Sequence, residues 1–258
     1  MLLLNFNPMK SLLKISILSV IVILIWSCER NDSIKLNDDN FLQSLLKQGI
    51  DIDGNAKISP DEAASVVSLH LDNDTISDLT GIEAFINLDT LICNNNELTS
   101  LDVSKLVGLV YLNCEDNEIS FLNLSSNVLL ERLLCSHNNL TSLDFSSNPE
   151  LYRVYCEYNN LTGINVSNNF KLEQLICRYN QLSALDVTNN TQLKALVCGD
   201  NELITLDLSK NIKLTHLDIP NMPSLNKVCI WELPFPPIPL TFYFMVGSPN
   251  VYFSTDCN

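Results

Sequence analysis

The chain has 258 residues, 46% of them hydrophobic, and carries 30 acidic against 15 basic side chains for a formal charge of −15. The apolar share supplies a sizeable buried core, while the acidic balance repels phosphate backbones and excludes a nucleic-acid partner. The three histidines, His70, His137 and His216, are far apart and lie in no nucleophile or metal motif, so no enzyme is expected.

Lys10 and Lys14, followed by the apolar run from Ile15 to Trp26, have the charge and length of an export signal, and the run is too short to span a bilayer comfortably. It ends in Ile25-Trp26-Ser27-Cys28, which resembles a bacterial lipobox. That resemblance implies a lipoprotein signal peptide over 1–27, a lipid on Cys28, and residence in the bacterial envelope at the outer membrane or cell surface. Residues 28–40 are polar without apolar periodicity and are expected to form a flexible tether.

Residues 41–65 predict a helical N-terminal cap, with Phe41, Leu42, Leu45, Leu46 and Ile50 on one helical face. The twelve residues from Asp51 to Glu62 resemble an EF-hand calcium loop. Asp51, Asp53 and Asn55 take positions one, three and five, the Lys57 backbone position seven, Ser59 nine and Glu62 twelve. Ala56 stands where that motif has glycine. The same stretch also reads as a capped turn, with Ser59 as N-cap, Pro60 as first helical residue and Glu62 as capping-box partner. Calcium is the one cofactor these residues raise, and none is required.

Residues 66–221 are repetitive. Cys93, Cys114, Cys135, Cys156, Cys177 and Cys198 are each 21 residues from the next, inside the frame L-x-x-L-x-C-x-x-N. A unit this short cannot bury a core alone, so the coils must stack as a solenoid. Seven coils start at Leu88, Leu109, Leu130, Leu151, Leu172, Leu193 and Leu214, after a first irregular coil from Val66. Alternation around Leu91 and Cys93 predicts one short parallel strand per coil. Leu101-Asp102-Val103-Ser104 alternates likewise and predicts a second short strand or turn on the opposite side.

The ladder cysteines read as small core hydrophobes that stay thiols, because one thiol per coil does not converge as zinc or iron sites require. Two asparagine rows, Asn96 to Asn201 and Asn127 to Asn211, are expected to satisfy backbone groups at the two turns. The row Asp102, Asn123, Asp144, Asn165, Asp186 and Asp207 reads as structural.

Residues 222–258 form a C-terminal cap in which prolines interrupt further coils. Leu240 to Val246 and Val251 to Ser254, around Gly247-Ser248-Pro249-Asn250, predict a hairpin over the last core layer. Cys229 and Cys257 stand off the ladder and are the expected disulfide.

The whole pattern resembles the internalin-like leucine-rich-repeat surface lipoproteins of bacteria, of the type found in Bacteroidota. It implies a leucine-rich-repeat solenoid, a monomer, and a binding face on the exposed strands. On that face Tyr111, Arg132, Leu134, Arg153, Tyr155, Tyr158, Ile176, Arg178 and Tyr179 combine the residue types that dominate interface hot spots. A protein ligand is the first expectation. The alternative is a glycan-binding or purely structural envelope component, with the tyrosines stacking on sugars.

Overall fold

Each leucine frame folds into a three-residue strand whose central side chain points inward. Burial alternates in this way through Thr90–Ile92, Tyr111–Asn113, Arg132–Leu134, Arg153–Tyr155, Gln174–Ile176 and His216–Asp218. The computed structural model describes residues 33–233, 242–244 and 246–257, so the expected signal peptide and the lipidation site at Cys28 lie outside the described residues. Nine strands, from Ser68–His70 to Phe242–Phe244, make one parallel sheet in which equivalent positions of successive coils face each other. Leu91 lies opposite Leu112, Leu112 opposite Leu133, and Leu133 opposite Val154. The inward leucines and the six cysteines join one continuous core.

The opposite side is less regular than the alternation predicts. Among the described residues, strand pairing there is confined to Leu143–Asp144 with Ile164–Asn165, to a three-stranded sheet of Thr205–Asp207, Lys227–Cys229 and Tyr252–Ser254, and to an Asp186 to Asp207 bridge. Local turns do the work instead. The side-chain oxygens of Asp102, Asn123, Asp144, Asn165, Asp186 and Asp207 each accept the backbone N–H two residues on, at 2.8–3.1 Å. These Asx turns close the coil without a ladder.

Both asparagine rows are bonded to the backbone, and all their members but the half-buried Asn96 are buried. Asn138 is typical of the first: its Nδ2 donates to the carbonyls of Cys114, Cys135 and Ser136 at 2.9–3.2 Å, and its Oδ1 accepts from Ile119 N–H at 2.9 Å. One side chain thus ties two successive coils together. In the second row, Asn148 Nδ2 donates to the carbonyls of Leu124 and Asn127. The Oδ1 atoms of this row find no donor.

At the N-terminal end, helix α1 (Asp39–Lys47) buries Phe41 and Leu45, and Phe41 lies 6.3 Å from the Phe85 ring. The tether expected over 28–40 does not hold for its described part from Ile34 onward. Ile34 and Leu36 pack against the core, Ile34 N–H bonds the Ile58 carbonyl, and Asp38 both caps α1 and accepts from Ser77 and Asp78. Alternating apolar residues in an otherwise polar stretch were enough to hold it down.

At the other end the expected hairpin does not form. Phe242–Phe244 pairs in parallel with His216–Asp218, and Tyr252–Ser254 pairs in parallel with Lys227–Cys229, so the two segments join different sheets. They build one more coil. Ser248, 1% exposed, donates to the Ile219 carbonyl and accepts from Met222 N–H, doing for this coil what a buried asparagine does for the others. The structure joins Cys229 to Cys257, whose Cα atoms are 5.5 Å apart, which ties the last strand to its neighbour.

Candidate binding site on the strand face

Alternation through each strand sends three columns outward. The first contains Tyr111, Arg132, Arg153 and Gln174, and the second Asn113, Leu134, Tyr155 and Ile176. The third follows the cysteines as Glu115, Ser136, Glu157, Arg178, Gly199 and Pro220. Gly199 is required here, because a Cβ on it would meet Pro220 Cδ of the next coil at 2.3 Å. Beyond this column the chain turns through a left-handed residue in every coil, at Asn95, Asp116, His137, Tyr158, Tyr179, Asp200 and Asn221, with φ of 52–55°.

Asparagine, aspartate and to a degree histidine tolerate that backbone, whereas tyrosine pays about 1 kcal/mol or more to adopt it. The three central coils therefore carry aromatic rings where the backbone favours shorter side chains. Those rings form a stack. His137 and Tyr158 lie 4.2 Å apart, as do Tyr158 and Tyr179, and the Arg178 guanidinium sits 4.5 Å from the Tyr179 ring. Tyr158 keeps 41% of its surface exposed, but both of its faces are covered.

The structure separates the three arginines that the sequence groups together. Arg178 is committed internally, with its Nε 2.6 Å from Asp200 and its NH1 3.9 Å from Asp218. Arg132 lies 4.0 Å over the Tyr111 ring, and Arg153 sits 5.8–5.9 Å from Tyr152 and Tyr155. Among the described residues neither joins a salt bridge, and Arg153 Nε is buried with no hydrogen-bond partner. Tyr155 is oriented by its hydroxyl, which donates to Gln174 at 2.6 Å. Leu134 and Ile176 lie between these groups, half-buried, so the patch combines rings, aliphatic surface and unpaired guanidiniums.

No protein-family model matches the chain. It is 39% identical over 68 residues to Internalin J of Listeria monocytogenes, a stretch that covers 26% of this chain and 7% of that protein. Among solved structures, internalin C2 of Listeria monocytogenes superposes with a TM-score of 0.65 at 17% identity, covering 84% of this chain and 93% of the other. The fold is the internalin leucine-rich-repeat solenoid. An internalin from inlF of the same species agrees, with a TM-score of 0.60 at 19% identity over 84% of this chain and 70% of the other.

On this internalin-type body the loop expected to bind calcium lies in the N-terminal cap. Asp51, Asp53 and Glu62 converge, with one oxygen from each within 4.8 Å of the others. Ala56 has φ 60°, the left-handed turn that position six of such a loop needs. Asp51 accepts from the N–H groups of Gly54, Asn55 and Ala56. Asn55 turns its Oδ1 to Lys57 N–H and its Nδ2 to Asp53, so it is not aimed at the centre. The capped-turn reading is present in full: Ser59 caps helix α2 (Pro60–Ser65), and Glu62 completes the capping box. Burial pushes the Glu62 carboxyl up, yet bonds from Ser59, Ile52 and Asp53 outweigh it and leave it below the usual carboxylate range.

Sequence reasoning missed His137, Glu115, Ser136 and Glu157. Their signal was available in the two columns that follow each cysteine, where aromatic and acidic residues replace the expected small polar ones.

Proposed function

We propose that this protein is a recognition module of the bacterial surface that binds a protein partner across its central coils. The observation that carries this reading is the pair Arg132 and Arg153, unpaired on the face of an acidic chain and flanked by Tyr111, Tyr152 and Tyr155. A partner carboxylate would find two partly desolvated guanidiniums there, with rings beside them to supply buried area at small entropic cost. Stacked solenoid coils offer such a face as an extended surface. Sugar stacking is less well supported, because a ring such as Tyr158 with both faces covered has none left for a sugar. With a partner captured from envelope or host extracts, Arg153→Ala and Tyr155→Ala should each weaken binding by about 2 kcal/mol or more while the fold stays intact. Asp144→Ala, on the opposite side, should bind as the parent does. Equal binding by all three variants would move the site off this face.

We further propose that Cys28 carries the lipid that holds the module at the envelope. A lipid precursor should label the parent chain and not Cys28→Ala, and equal labelling would remove the anchor.

The loop from Asp51 to Glu62 is proposed as a weak calcium site that stiffens the cap. The three converging carboxylates support this, while the turned-in Asn55 and the strain of about 1 kcal/mol at Ala56 limit affinity. Calorimetry should show one site that is lost in Asp51→Ala and tightened in Ala56→Gly. If about millimolar calcium produces neither heat nor a melting shift, the loop is a capped turn and nothing more.

A further inference from the structure

Glu115, Ser136 and Glu157 occupy one outward column on three successive coils. Asp116 N–H bonds the Ser136 carbonyl at 3.0 Å and His137 N–H bonds the Glu157 carbonyl at 2.9 Å, so the coils are held in register. With coils ~4.8 Å apart, the two glutamates flank Ser136 at about 10 Å from Cα to Cα. A column of like charges is a poor way to build a stack, and serine or asparagine would serve a purely structural purpose. Neither glutamate joins a salt bridge among the described residues.

Both carboxyls are half-buried. Burial pushes Glu115 above the usual carboxylate range, Asp116 and Glu157 push it further, and Ser136 and His137 oppose. Burial also raises Glu157, against His137 and Arg178, whose guanidinium is already bonded to Asp200. Between them Ser136 is 1% exposed, and its Oγ has no hydrogen-bond partner. That hydroxyl lies near enough to favour the ionised Glu115 without closing a bond to it. A buried hydroxyl left without a partner is destabilising, so the site is more stable when something completes it.

A cation that fits between these two carboxylates is larger than a metal ion. Among the described residues the convergent acidic triad is Asp51, Asp53 and Glu62, whereas Glu115, Glu157 and His137 do not close on one small centre. A guanidinium on a flexible stem presents a planar fork of donors that can face both carboxylates, where a compact ammonium has no such reach. The stacked rings of His137 and Tyr158 form a stiff wall beside it.

We propose that Glu115, Ser136 and Glu157 form a receptor for one basic side chain of the protein partner, inserted between the two carboxylates. This rests on the reading of the strand face as the binding face, and it gives that face both signs of charge: Arg132 and Arg153 for a carboxylate, the glutamate pair for a cation. Paired opposite charges orient a partner and reject others. Engagement requires both glutamates ionised, so it should fade on mild acidification.

The test uses the full chain, with acetyl-Gly-Arg-Gly-amide and its citrulline counterpart as probes in a magnetic-resonance titration. The arginine peptide should shift the amides of Ser136, His137 and Glu157, and the uncharged citrulline peptide should not. Glu115→Gln/Glu157→Gln should weaken the arginine peptide by about tenfold or more, the scale of a partly desolvated charge pair, while melting no lower than the parent. Equal shifts from the two peptides, shifts confined to the Asp51–Glu62 loop, or undiminished binding by the double variant would overturn the proposal. A captured partner separates the two readings. If Arg153→Ala loses it and the glutamine variant retains it, the face stands and the cation site falls. If both variants retain it, the face falls as well.

Discussion

The folded protein should collapse in mild alkali, because its six ladder thiols cannot ionise in place. All six are fully buried. Burial pushes Cys114, Cys156 and Cys198 from 9.0 up to about 12, and raises Cys93, Cys135 and Cys177 well above 9.0. A thiol whose folded value lies above its unfolded one binds its proton more tightly when folded, so stability is complete below pH 9 and falls as pH rises towards 12. Each group contributes a slope of about 1.4 kcal/mol per pH unit, and six together about 8 kcal/mol per unit. Typical total stability is about 5–15 kcal/mol, so unfolding is expected at about pH 10–11. Circular dichroism and thiolate absorbance followed together should change at the same pH. Cys114→Ala/Cys156→Ala should lower the slope by about a third. Thiolate absorbance that grows while the β signal persists would show that the ladder titrates inside the fold.

The second large effect is expected from Asn138→Ala, which should cost about 3–5 kcal/mol in urea unfolding. The substitution removes one acceptor and a donor group shared among three carbonyls, and it leaves the Ile119 N–H buried with no partner. Asn168→Ala, an exposed residue with a single long bond of 3.5 Å to the Ser146 carbonyl, should stay within about 0.5 kcal/mol of the parent. Similar losses for both would mean that the amide ladder does not hold the coils together.

The cysteine spacing and the leucine frame were sufficient for the solenoid, because each coil touches only its neighbours and every register repeats at the same 21 residues. The roles of Asn138 and its row followed from the same argument, since a turn at the same place in every coil leaves the same backbone groups to satisfy. Elsewhere the repeat carried less. Residues 33–38 and the segment after Pro220 lack the frame, so nothing periodic announced that Ile34 and Leu36 pack down or that Phe242–Phe244 adds a parallel strand rather than half a hairpin. What decided the latter was the unpaired edge of His216–Asp218, a feature that exists only once the coils are stacked.

The proposed binding face divides in the same way. Composition and alternation alone placed Arg132, Arg153 and Tyr155 outward, because a strand has a period of two. The sequence by itself could not determine which arginine is free. Arg178 is paired because Asp200 and Asp218 come within reach from the following coils, and His137 joins the tyrosines because a left-handed turn aims three rings along one line. Side chains about 20–40 residues apart in sequence meet only when coils lie ~4.8 Å apart, so one-dimensional pattern sets the columns and tertiary stacking decides which of their members are partners.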